Sequence, residues 1–356
     1  MRARVLAGAL AVALSACTGA ASKTPGTTST PISSVATTAK STARIVVSNS
    51  TLSGSDTGRY LLFQLPGENH LHAISWDASR SGALGGEVAT DAIWSAQSPD
   101  GSRYVLDGIV RDWQGHSLGA LPWIEKGTSA SWSTDGRFLC EAVPNTPISG
   151  ARMSLQTARP GQPAQIVANG YAIYGDNAAY PVLACDPSTD RAIVAVLGQG
   201  VAPGDLWVFG LSTGSIIREY RDPGSWVAAS ADGSLLAMTT PRANGGGLVT
   251  TVRRADDGAQ MGMVDDFTAH GFSSDASMLV GVTGENATVL LNWRTGRRVW
   301  SSTGLPYGGV LAEPGGNHMA IGMGFTGGSD TADVYIVAQD GSAVLLPARL
   351  RAPLQY

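Results

Sequence analysis

Gly115-His116-Ser117-Leu118-Gly119 has the Gly-x-Ser-x-Gly spacing with which a sharp strand-to-helix turn presents a serine hydroxyl for acyl transfer, and His270 and His318 follow as bases. Such a turn needs a helix after the serine. Pro122 comes five residues later and no helical periodicity appears, so the segment reads as a hairpin loop and a serine hydrolase is disfavoured. Gly322-Met323-Gly324-Phe325-Thr326-Gly327 fits the phosphate-cradling Gly-x-Gly-x-x-Gly spacing, but no helix follows to offer its N-terminus, leaving a glycine-rich loop. His70-Leu71-His72 puts two imidazoles on one face of a strand, with Glu68 nearby. Two such rings can ligate a metal, yet a third ligand would have to come from elsewhere, so the pair reads as a solvent-exposed loop edge. Asp256-Asp257 and Asp265-Asp266 read as solvated turns, and no carboxylate pair stands out as an acid–base couple. No catalytic residue, metal site or cofactor is assigned on these grounds.

The elements that would position these residues are repeats. A tight turn followed by an apolar run recurs as SDTGRYLLF (55–63), SPDGSRYVL (98–106), STDGRFLC (133–140), DPSTDRAIVAV (186–196), SADGSLLAM (230–238), SSDASMLVGV (273–282) and EPGGNHMAIGM (313–323). Ser or Asp opens the turn, Pro fixes φ, Asp-Gly tolerates a left-handed backbone, and a strand follows. Between copies lie seven hairpins, among them LHAISWDASRSGAL (71–84), DLWVFGLSTGSIIREY (205–220) and TVLLNWRTGRRVW (288–300). Seven turns and seven hairpins make four strands per repeat. Residues 44–356 then give about 45 residues per repeat, the length of a four-stranded propeller blade. The expected fold class is therefore all-β, a seven-bladed β-propeller. Segments 44–49 and 344–349 are the expected closing partners.

The Ser-Pro-Asp-Gly turn before an apolar strand, with hairpins such as AISWDASRSG and LLNWRTGRR, resembles the WD-repeat and TolB-type propellers over almost all of 44–356. The Trp-Asp pair occurs once, at Trp76-Asp77, and no regular Gly-His pair precedes the strands, so the hydrogen-bond network of WD repeats is not carried over. NWRTGRRVW is more distantly similar to the repeat of quinoprotein-like propellers, whose blades carry a docking Trp at the position of Trp300; no other hairpin here has it. The nine Trp, spread from Trp76 to Trp300, are expected in packing between blades. Cys140 and Cys185 fall beside the turns of adjacent repeats, on inner strands of neighbouring blades, and form a candidate disulfide with two buried free thiols as the alternative.

Residues 1–17, MRARVLAGALAVALSAC, combine two Arg, a ten-residue apolar run too short to span a bilayer, and Leu14-Ser15-Ala16-Cys17. That ending resembles the lipobox of bacterial lipoproteins, which implies cleavage after residue 16 and lipid attachment at Cys17. Half of residues 18–43 are Ser or Thr, too polar to pack, so 17–43 reads as a disordered tether of roughly 28 Å ahead of a propeller domain at 44–356. The expected location is the cell membrane, facing outside the cytoplasm. In a bacterial envelope the sequons Asn49-Ser50-Thr51 and Asn286-Ala287-Thr288 carry no glycan.

Composition agrees by exclusion. With 45 Gly, 18 Pro and 15% charged residues the chain is neither a coiled coil nor, lacking a strict Gly period, a collagen. A formal charge of −4 provides no basic field for nucleic acid. The function expected is a non-enzymatic binding or scaffold module in the cell envelope, with an envelope protein or a glycan as partner. The alternative is a lactonase-like or quinoprotein-like enzyme using the central channel. Five His, none recurring at one repeat position, weigh against the converging ligands that such an enzyme needs.

Overall fold

The structure is a computed structural model that describes residues 43–44, 60–64, 68, 70–84, 94–106, 108–112, 114–121, 130–144, 152–172, 181–197, 203–243, 245–303, 306–323 and 333–346. The chain divides into two units, Met1–Ala36 and Thr37–Tyr356, and every described residue lies in the second.

Among the described residues all regular structure is strand, arranged in seven antiparallel sheets that follow one another along the chain. The first blade is described through Tyr60–Gln64, Leu71–Ser75 and Ser81–Ala83; the others each show four strands, beginning at Trp94, Ala130, Val182, Trp226, Phe267 and Pro306. In each of these six the innermost strand comes first in sequence, and the first strands of consecutive blades lie side by side. Closure is visible at both levels of packing. Ala43–Arg44 pairs in parallel with Val344–Leu345 of the seventh blade, so the start of the array meets its end where the repeats require it. Leu61, Phe63, Ile74 and Trp76 of the first blade also share one apolar cluster with Leu311, Ala320 and Ile336 of the seventh. Among the described residues there are seven such clusters, one at each boundary between neighbouring blades, and seven sheets with seven boundaries make a closed ring.

The chemistry of the sequence explains this core. The strands YLLF, AIVAV and LLAM are buried on both faces because a blade has a neighbour on each side. Trp76, Trp132, Trp207, Trp293 and Trp300 each enter a different boundary cluster, as expected for the tryptophans. Trp226 does not; it is 42% exposed at the start of the fifth blade's innermost strand.

The repeated turns are built alike. In the second, third, fifth and sixth blades Ser98, Ser133, Ser230 and Ser273 are buried, and each hydroxyl donates to the Asp two residues on at 2.5–2.7 Å. Each also accepts the amide five residues on: Arg103, Phe138, Leu235 and Met278. The hydroxyl thereby satisfies an amide and holds the carboxylate over the turn. Gly101, Gly136 and Gly233 take φ near +67° there, whereas Ala276 takes +54° with a side chain. The fourth blade swaps the partners, with Asp186 first and Ser188 donating to it at 2.8 Å. The seventh replaces Ser with Glu313, whose carboxylate accepts the amides of Asn317 and His318 and the His318 ring at 2.6 Å.

These turns also join blades. The Thr134 hydroxyl donates to Asp186 at 2.5 Å, that of Thr189 to the Asp232 carbonyl at 2.6 Å, and the Gly315 amide to the Ser274 hydroxyl at 2.6 Å. Between the first and second blades the Gln97 amide group accepts from the Leu62 N–H and donates to the Tyr60 carbonyl. On the outer wall Leu118, Ile166, Ile217, Met261 and Met263 are exposed on the outermost strands of blades two to five.

Candidate functional site

The ring encloses a cavity of about 400 Å³. Its wall comes from the innermost strands and following turns of blades three to seven, with Pro99 of the second at the edge. Much of it is Ala and Gly (Ala184, Ala228, Ala229, Gly271, Ala312), so space on the axis results from small side chains where five strands converge. The size lies within the range of small-molecule sites.

Its ionisable groups fall into two kinds. At the turn end stand Asp186 and Asp232, both held by neighbours. Asp186 is 2% exposed and accepts from Thr134, Ser188 and Thr189. Asp232 accepts from the hydroxyls of Ser230 and Ser234 and the Ser234 amide. Burial alone would raise the Asp232 carboxyl, but these bonds outweigh it and hold it below the ordinary carboxylate range. The same balance holds for Asp100, Asp135 and Asp275. Asp77, bonded first by the Ser75 hydroxyl and then by the Ser79 amide and hydroxyl, is lowered to about 2. These carboxylates are ionised parts of turns, committed to structure.

The second kind is His270, in the middle of Phe267–Phe272. Burial pushes its imidazole down to about 4, so it is neutral at physiological pH. Its ring lies against that of Trp226, with centroids 5.1 Å apart. Among the described residues no protein group hydrogen-bonds it and no carboxylate faces it, so its two nitrogens, one donor and one acceptor, are open. Also among the described residues, no three His, Cys, Asp or Glu side chains come together as a metal site.

The residues singled out by sequence scatter. Ser117 opens the outermost strand Ser117–Ala120 of the second blade, after a turn in which the His116 ring meets Asp112 at 3.0 Å; the hairpin is present, and residues 122–129 lie outside the described residues. Gly322 and Met323 end a strand, and Gly324 to Gly327 lie outside the described residues. The His70–His72 expectation needs correction: His70 is exposed, but His72 is 2% exposed, stacked on Phe63 and bonded to Glu68 at 2.6 Å. The pair is split because the strand begins at Leu71: His70 lies in the exposed bend before it, whereas His72 is inside the strand among the first blade's apolar residues. Cys140 and Cys185 are joined sulfur to sulfur, Cα atoms 6.2 Å apart, across the boundary of blades three and four. Cys185 is on an innermost strand as expected, whereas Cys140 is on a second strand. Cys17 lies outside the described residues, as does Asn49. No helix among the described residues is long and apolar enough to cross a membrane. His270, on the cavity wall, was singled out only as a base for the Gly-x-Ser-x-Gly motif, and its contact with Trp226, which is not part of that wall, had no sequence signal because the two belong to different repeats.

Fold and cavity define a seven-bladed propeller with an axial site. Comparison with solved structures agrees on the fold. The chain is similar to an oligogalacturonate lyase in complex with manganese, at 13% identity and a TM-score of 0.51 over 79% of this chain and 82% of that one. It is likewise similar to Kuenenia stuttgartiensis hydrazine synthase, at 14% identity and a TM-score of 0.53 over 82% and 95%. No family model and no curated protein matches the chain.

Proposed function

We propose that this protein is a bacterial lipoprotein, anchored through Cys17 on the outer side of the cytoplasmic membrane, whose TolB-like propeller is a non-enzymatic binding module with its ligand site in the axial channel. What carries the reading is the state of the channel's charged groups. Asp186 and Asp232 are engaged by turn hydroxyls and amides, and His270 has no acidic partner among the described residues, so no acid–base couple stands ready. The 16-residue signal, the acylated Cys17 and the Ser/Thr-rich tether of 17–43 would leave the ring free to meet a partner within a tether's reach of the membrane. The Cys140–Cys185 bond suits an oxidising compartment outside the cytoplasm.

One observation favours the other reading, an enzyme of the channel: His270 is an uncharged base beside an open cavity, and one structural neighbour is a lyase. The test is a photo-crosslinking residue at Ala231, on the cavity wall, in native membranes, with Cys17→Ser as a second arm. The reading expects a reproducible crosslinked partner and loss of membrane association in Cys17→Ser. Membrane association untouched by Cys17→Ser, or turnover of the captured ligand abolished in His270→Gln, would overturn it.

A further inference from the structure

Trp226 is the exception among the six tryptophans whose burial is described. Five enter apolar boundaries, whereas this one, at the start of the fifth blade's innermost strand, leaves 42% of its surface in water. Trp226 is not itself part of the cavity wall, but its ring lies against His270, which is, and an indole kept wet there is an aromatic platform awaiting an apolar face. Its neighbour His270 narrows the choice. A neutral imidazole with both nitrogens open offers one donor and one acceptor, which matches hydroxyl groups, since each hydroxyl both gives and receives. The charge of the wall narrows it again. Among the described lining residues there is no Lys or Arg, while Asp186 and Asp232 are carboxylates at the turn end. A carboxylated or phosphorylated ligand would enter against that charge with no cation to receive it. Besides the Trp132 indole N–H, the wall's remaining polar side chains are hydroxyls, Ser131, Thr134, Ser188 and Ser274.

We propose that the Trp226–His270 pair beside the axial cavity binds an uncharged sugar ring of a glycan, stacked on Trp226 and hydrogen-bonded by His270, and that it rejects acidic saccharides. The proposal rests on the binding-module reading and supplies its ligand class. It sets the protein apart from the lyase it resembles in fold, whose name records an acidic saccharide. A pyranose presents C–H groups on one face and hydroxyls around its rim, the combination that an indole face and a neutral imidazole serve together.

The experiment uses the full chain in detergent on an immobilised panel of neutral glycans built from glucose, galactose, mannose and N-acetylglucosamine, with uronic-acid glycans alongside. The expected result is retention of neutral glycans only. The best binder is then titrated by tryptophan fluorescence. Trp226→Ala should weaken binding by about tenfold or more, Trp226→Phe should retain most of it, and the thermal transition should be unchanged in both, because the side chain is exposed. A blank panel, preference for uronic-acid glycans, or an affinity indifferent to Trp226→Ala overturns the proposal. A blank panel together with a protein crosslinked to the channel would remove the sugar and keep the binding module. Cleavage of a bound neutral glycan would keep the sugar site and remove the non-enzymatic reading.

Discussion

Ser230 tests the logic of the repeated turn most directly. Its hydroxyl, on a residue 1% exposed, donates to Asp232 at 2.5 Å and accepts the Leu235 amide at 2.9 Å. Ser230→Ala leaves the shape nearly intact, so the loss is electrostatic. A hydrogen bond to a charged group contributes about 1.5–3 kcal/mol, and a buried amide left without a partner costs about 1–3 kcal/mol. These terms share one hydroxyl and do not simply add, so the expected destabilisation is about 2–4 kcal/mol at pH 7. The carboxyl supplies a second signature. Asp232 is held below its ordinary 3.8, so its contribution is present above that value and is lost as pH falls through the folded-state value. The difference between wild type and variant should therefore shrink toward the worth of a neutral bond, about 1 kcal/mol, in acid. Urea unfolding of both proteins at pH 7 and pH 3, compared at equal denaturant slope, measures this. A difference under about 0.5 kcal/mol at pH 7, the range of an ordinary surface change, or one that does not fall in acid, would refute the turn's assigned role.

The cysteine pair closes a loop of 45 residues, so Cys140→Ser should destabilise by up to about 4 kcal/mol, and thiol titration of denatured, unreduced protein should find neither sulfur free. Two titrating thiols would remove the bond. Gly341→Ala should be costly because, at φ +88°, a methyl would overlap the Val299 carbonyl where the seventh blade's turn rests on the sixth; Gly296→Ala, at φ +71° in open space, should cost only about 1 kcal/mol. Equal thermal shifts for the two would count against that contact. His270 is lowered to about 4 from 6.5, so the unfolded chain takes up its proton first, and wild type should lose stability relative to His270→Gln as pH falls from 6.5 toward 4. Parallel pH profiles would show that its burial is not felt.

The repeat is the part that could be read from the chain. Its signal is local: Ser, Pro, Asp and Gly fix a turn within six residues, and a doubly apolar strand behind it says that both faces are covered. Ser98, Ser133, Ser230 and Ser273 therefore announce four innermost-to-second-strand turns in order, and seven phased copies determine blade number and register. Local chemistry likewise demoted Ser117, because Pro122 forbids the helix its motif needs. What escaped was everything decided by which blade faces which. His72 and His70 are two residues apart, yet one is buried against Phe63 and the other exposed. Trp226 follows the same spacing to its turn as Ala269, which enters the core, but it is 42% exposed, and its ring contact is His270 on the next blade, 44 positions along. The sequence by itself determined the number of blades and the turns that shape them, since those depend on neighbours along the chain. Only the closed ring decided which side chains meet at its axis, because those contacts join residues that no local pattern relates.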